Sequence, residues 1–191
     1  MRLEGKRAIV TGGGSGFGEG IARKFAAEGA RVMVADVNST GAARVGEEIG
    51  GVAVAADVAD GSSVETMARA AVSAFGGLDI LVNNAGVTHL PAPLEEISEA
   101  DFDRVIAVNC KSVYLTARYL VPILKSARGS ILNVASTAGL SPRPRLSWYN
   151  ASKGWMITAT KSMAVELAPA GVEVKAIWPA AGETPLLKSS M

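Results

Sequence analysis

Six short apolar runs, separated by longer amphipathic or alanine-rich stretches, constrain this chain more than any other feature. Arg7–Val10, Arg31–Ala35, Val52–Ala56, Ile80–Val82, Ser130–Ala135 and Val172–Trp178 are the expected strands. Phe17–Glu28, Thr40–Ile49, Ser62–Phe75, Ala100–Ser126 and Trp148–Leu167 are the expected helices. Many of the strand runs are apolar throughout instead of alternating, as in a parallel sheet covered on both faces. With right-handed crossovers this rhythm leads to an α/β chain: a doubly wound parallel sheet in a three-layer α/β/α arrangement. The 191 residues suit one domain spanning 1–191. Pro122 predicts a kink in the fourth helix, and Pro169 with Gly171 the stop of the fifth.

Charge excludes some partners. With 19 basic and 18 acidic residues and no basic run, there is no electrostatic footprint for nucleic acid. The single Cys110 excludes an internal disulfide framework and supplies no zinc cluster, so no metal is expected. No stretch reaches the roughly 18 uninterrupted apolar residues of a membrane span. The charged start runs directly into a strand, unlike a signal peptide. A cytoplasmic protein is expected.

In a doubly wound sheet, ligands bind beyond the carboxyl ends of the strands. Directly after the first strand stands Thr11-Gly12-Gly13-Gly14-Ser15-Gly16-Phe17-Gly18, which opens a helix. Glycines there allow a tight turn and close approach to a pyrophosphate, toward which the helix N-terminus points free N–H groups. A flexible turn without ligand is the plainer reading of such a run. Asp36 ends the second strand, where a carboxylate accepts from both hydroxyls of an adenosine ribose and repels a 2′-phosphate. Ser15 and Val37 bring no cation to offset that repulsion, so NAD is expected over NADP. Asp36 could instead be a turn or cap residue. Asp57-Val58 ends the third strand and is open to two readings, an adenine contact or a helix cap.

Tyr149 and Lys153 are four residues apart, on one face of a helix. A phenol titrates near 10, and a nearby ammonium in a partly water-excluded cleft lowers that value. On its own, such a pair is also an ordinary solvated helix feature.

Taken together, these residues resemble the short-chain dehydrogenase/reductase family over essentially the whole chain. The resemblance rests on Thr11–Gly18, Asp57, Asn83-Asn84-Ala85-Gly86, Asn109, Ser136 thirteen residues before the tyrosine, and the Tyr149–Lys153 pair. It is similar in texture to bacterial 3-oxoacyl-carrier-protein reductases and generic alcohol dehydrogenases. The resemblance implies a Rossmann-type fold, an NAD cofactor, and a small alcohol or ketone substrate. It implies Tyr149 as acid/base, and Lys153 as the group that lowers the tyrosine pKa and bonds the nicotinamide ribose. Ser136 would hold the substrate oxygen and Asn109 a water in a proton relay. Gly12, Gly14, Ser15, Gly16, Phe17, Gly18, Asp36, Val37, Asp57, Val58, Asn84, Ala85, Gly86, Pro179 and Thr184 would line the cofactor, while Asn83 ties strands together. A homodimer or homotetramer is implied, paired through the two long helices.

Other features are less decided. Arg143 and Arg145 could steer an anionic substrate or be solvated. His89, the only histidine, reads as a loop residue, and Trp148 lines the pocket or packs under the helix. Lys175 replaces the family's usual Asn and Ala180 its usual Gly. The family normally continues beyond the point where this chain stops, so the chain is expected to lack the last strand and the substrate-covering helices, as a piece of a longer protein. A reading from another class is a catalytically idle dinucleotide-binding sensor or assembly protein.

Overall fold

The structure is a computed structural model that describes residues 1–180. Six strands form one parallel sheet: β1 (Arg7–Thr11), β2 (Arg31–Asp36), β3 (Val52–Ala55), β4 (Ile80–Asn83), β5 (Ser130–Val134) and β6 (Glu173–Ile177). Their order is β3-β2-β1-β4-β5-β6. The chain therefore winds outward from β1 in one direction and then returns to its other side with β4. The crevice at that reversal opens above the ends of β1 and β4.

Register explains the sequence pattern. Met33, Ile9, Leu81, Ile131 and Val174 lie side by side across five strands. They join one apolar cluster with Val64, Met67 and Phe75 of α3 (Gly61–Phe75) and Leu115, Leu120 and Leu124 of α5 (Ser112–Ala127). The alternate residues Val34, Val10 and Val82 form a second cluster on the other face. Ala22 of α1 (Gly16–Ala27) and Ala42 and Val45 of α2 (Ser39–Glu48) cover it. Both sides of the central strands are thus buried, which is why β1, β2 and β4 carry no polar alternation. Each fully buried aliphatic side chain contributes about 1.5–3 kcal/mol.

The expected fourth helix is not one helix. It divides into α4 (Glu99–Ile106), a π-helical turn at Ala107–Lys111, and α5, which continues through Pro122. The irregularity lies a dozen residues before the proline, and it contains the fully buried Asn109. The last helix, α6 (Ser147–Leu167), begins at the crevice mouth. Among the described residues no helix is long and apolar enough to cross a membrane.

A buried polar chain crosses beneath the site. Thr116 Oγ1 donates to Asn83 Oδ1 at 2.9 Å, Asn83 Nδ2 to Asn133 Oδ1 at 2.9 Å, and Asn133 Nδ2 to Thr160 Oγ1 at 2.9 Å. Thr160 in turn donates to the Met156 carbonyl. The chain links α5, β4, β5 and α6, so the strand ends and α6 are mutually positioned. Asn83 serves the strand-tying part expected of it.

Candidate active site

A cleft of about 650 Å³ runs along the strand ends, from Asp36 at one extremity to Arg143 and Leu146 at the other. Its volume lies within the range of about 300–1,000 Å³ of small-molecule sites.

The nucleotide end is built mainly from backbone. Gly12 has φ +61°, and a Cβ there would come within 2.8 Å of the Ala85 Cα. A Cβ on Gly18 would collide with the Gly12 carbonyl. Asn84 Nδ2 donates to the carbonyls of Thr11 and Gly12, and Thr11 Oγ1 accepts from the N–H groups of Asn84 and Ala85. Thr11, the buried first residue of the glycine-rich motif, is the hub that fastens the β1 turn to the β4 turn. Side chains cap α2, α3 and α4 (Asn38, Asp60 and Ser98), whereas Ser15 makes no such bond at α1. Ser15, Gly16 and Phe17 face the cleft, so the open N–H groups of this helix end suit an anion. Gly14 and Gly18 shape the turn without lining the cleft.

Asp36 accepts from Gly14 N and Asn38 N, one bond per oxygen, and lines the cleft. Each oxygen keeps a lone-pair site for a ribose hydroxyl. Asn38, not Asp36, caps α2. Asp57 likewise caps no helix: Asp60 caps α3, and Asp57 Oδ1 accepts from Ala59 N while the residue lines the cleft with Val58. The residues present therefore fit a dinucleotide.

The other end is built from side chains carried by separate elements. Ser136 follows β5 and accepts from Ala138 N. Tyr149 and Lys153 lie on α6, and both line the cleft. Lys153 is 3% exposed, donates to the Val134 carbonyl at 3.0 Å, and sits 5.9 Å from the Tyr149 ring centroid. Burial pushes its ammonium down to about 8. Burial also pushes the Tyr149 phenol above its ordinary value, against the opposing pull of the Ser136 hydroxyl and the Arg143 charge. The direction is opposite to the one expected from the Tyr149–Lys153 spacing, because desolvation is the largest influence on the phenol.

Asn109 lies beside the cleft without lining it. Its Oδ1 accepts from Val87 N, and its Nδ2 donates to the Val87 carbonyl and to Ser152 Oγ. Both amide hydrogens are used within the protein, and Ser152 passes the link to the Tyr149 carbonyl. A Cβ on Gly86 would meet Asn109 Oδ1 and Lys153 Nζ at 3.4 Å each, so glycine lets these groups approach. Val37, Ala85, Gly86 and Pro179 line the cleft; Thr184 lies outside the described residues.

Val87, Thr88, Arg104, Val108, Leu146 and Ala180 also line it, and no local motif marks them. Trp148 packs edge-to-face on Phe102 at 5.4 Å instead of entering the cleft. His89 is buried in its loop, its Nδ1 bonded to the Leu90 carbonyl.

The sequence model of the short chain dehydrogenases matches residues 6–191. A 4-formylbenzenesulfonate dehydrogenase of Comamonas testosteroni is 45% identical over 200 residues, covering 100% of this chain and 78% of the relative. A D-beta-hydroxybutyrate dehydrogenase of Cupriavidus necator is 40% identical over 195 residues, covering 99% and 75%. The crystal structure of a 3-ketoacyl-(acyl-carrier-protein) reductase from Brucella melitensis complexed with NADH superimposes with a TM-score of 0.97 at 50% identity, covering 99% of this chain and 81% of that one. With its cleft, its turn and its sequence agreeing over nearly the full length, the chain belongs to the short-chain dehydrogenase/reductase family of oxidoreductases.

Proposed function

We propose that the chain is an NAD-dependent oxidoreductase that interconverts a secondary alcohol and a ketone, with Tyr149 moving the proton. The observation that carries this reading is that Ser136, Tyr149 and Lys153 share one cleft with the glycine turn. A nicotinamide, when bound, supplies the acceptor or donor of hydride. The α1 N-terminus would hold the pyrophosphate, Asp36 the adenosine ribose, Asp57 and Val58 the adenine, and Lys153 the second ribose. Ala85, Gly86 and Pro179 would wall the nicotinamide, as would Thr184, assigned from sequence.

Ser136 and Tyr149 would hold the substrate oxygen between two hydroxyls, which stabilise charge that develops there. Because burial keeps the phenol protonated, the resting group at neutral pH is a proton donor, the form that carbonyl reduction needs. Alcohol oxidation needs the phenolate and rises as the solution becomes more alkaline. Asn109 is a positioning residue: through Ser152 it fixes the first turn of α6, and with it Tyr149.

Asp36 supports NAD over NADP. Arg44, which donates to the carbonyl of Gly14 in the glycine turn, is paired with Glu19 and Glu48 and so offers no free charge to a phosphate. A 3-oxoacyl thioester is a second form of ketone, favoured by the 50% identity to the Brucella reductase. The helix faces that carry Tyr114, Trp155 and Val165 are exposed, which supports a homo-oligomer that light scattering would test.

The functional test is turnover of a panel of ketones, secondary alcohols and 3-oxoacyl thioesters with each cofactor. Catalysis with NAD or NADH at about tenfold or greater efficiency over the phosphorylated cofactor is expected, one lost charge-assisted contact being about 1.5–3 kcal/mol. Cofactor binding with no turnover of any substrate would favour the idle sensor instead.

A further inference from the structure

The charge of the cleft reverses along its length. Asp36 and Asp57 line the nucleotide end, while Arg104 and Arg143 line the end beyond Tyr149. The two arginines are not equivalent. Arg104 donates to Asp101 at 2.8 Å and to the Thr88 carbonyl, so its charge is matched. Arg143 makes no ion pair with any described residue. Its side chain is exposed while its backbone is anchored: Asn150 Nδ2 donates to its carbonyl at 2.7 Å, and Ala92 N donates to the carbonyl of Arg145, tying this loop to the one after β4. Val87, Val108 and Leu146 add apolar side chains to the lining of the same cleft.

We propose that the substrate carries an oxyanion, a carboxylate or sulfonate, joined by an apolar body to the reacting carbonyl or alcohol, and that Arg143 is the residue that selects it. A guanidinium presents a planar fork that matches two oxygens of such a group. The Arg143 charge already reaches the reaction centre, since it opposes the burial of the Tyr149 phenol. Arg145, its neighbour in the loop, does not line the cleft and has no part in the selection. This inference rests on the oxidoreductase reading and narrows its substrate.

The test compares kcat/KM for matched acid and neutral ketones, 4-acetylbenzoate against its methyl ester and 3-oxobutanoate against its methyl ester. The wild type is expected to prefer the acid by about tenfold, the scale of a hydrogen-bonded charge at a partly exposed site. Arg143→Gln is expected to bring the acid-to-ester ratio to about one, whereas Arg145→Gln leaves it unchanged. On the wild type alone, raising the salt from about 0.05 to about 0.5 M lowers the ratio, because the attraction is screened. A ratio near one in the wild type, or one that Arg143→Gln does not move, overturns the inference and leaves the oxidoreductase reading standing. Absence of Tyr149-dependent turnover with every acid and every ester overturns both.

Discussion

The two ends of the cleft are made in different ways. At the nucleotide end the working parts are N–H groups, a positive φ at Gly12 and the carboxylates of Asp36 and Asp57, all within short stretches at the ends of β1, β2 and β3. At the far end Ser136, Tyr149 and Arg143 reach the cleft from the β5 turn, from α6 and from the loop between them. Nothing local aligns them; the Thr116–Asn83–Asn133–Thr160 chain and the Asn109–Ser152 bridge do. A backbone cradle binds whatever is common to dinucleotides, while a side-chain end adapts to a particular substrate. The first end should therefore govern cofactor affinity and the second turnover, with little crossing between them.

Substitutions can break that division. Ser136→Ala is expected to lower kcat by about 10²–10³, the loss of one donor at a developing oxyanion, with NAD affinity nearly unchanged. Steady-state kinetics beside a cofactor titration reads both; a matching fall in affinity would mean that the two ends are one unit. Gly18→Ala drives a methyl group into the Gly12 carbonyl and Asn84, so the turn must shift. Such overpacking costs about 1–3 kcal/mol, seen as roughly ten- to hundredfold weaker NAD binding. Unaltered binding would show that the turn does not form the cradle.

The supporting chain should act on both ends through stability. Thr160→Val leaves the buried Asn133 Nδ2 without an acceptor, at a cost of about 1–3 kcal/mol in denaturant unfolding. An unchanged midpoint would remove this chain from the account. The smallest effect is on pH dependence. Lys153 titrates at about 8 when folded and near 10.5 when unfolded, so between those values the unfolded chain binds more protons. The lysine therefore destabilises the fold fully below pH 8, and that penalty fades as the pH rises to about 10.5. Cys110, pushed up to about 11, works against this above pH 9. The stability of the wild type relative to Lys153→Met should rise between pH 8 and pH 9; a flat difference would place the ammonium in water.

How much was legible in the sequence follows the same division. The glycine turn and the strand-end carboxylates depend on local φ and on positions two or three residues apart, and short apolar runs between longer amphipathic stretches locate the strands. Asn133, Thr116 and Thr160 carry no motif, because their meaning arises only when strands some 50 residues apart pair in register. The π-turn at Ala107–Lys111 was invisible because its residues continue a helical pattern. The sign of the Tyr149 shift is not legible for a physical reason: spacing reveals that a lysine is near, but not how deeply the phenol is buried, and here burial outweighs the opposing Ser136 hydroxyl and Arg143 charge. Of two arginines two residues apart in one loop, only the structure shows that Arg143 faces the cleft.

The most direct test of the central claim is Tyr149→Phe, with NAD affinity and turnover measured on the same preparation. The variant keeps the ring and removes only the hydroxyl. The account predicts cofactor affinity within about threefold of the wild type and turnover lower by about 10²–10⁴, the usual contribution of a positioned proton-transfer group. Turnover close to that of the wild type would contradict it.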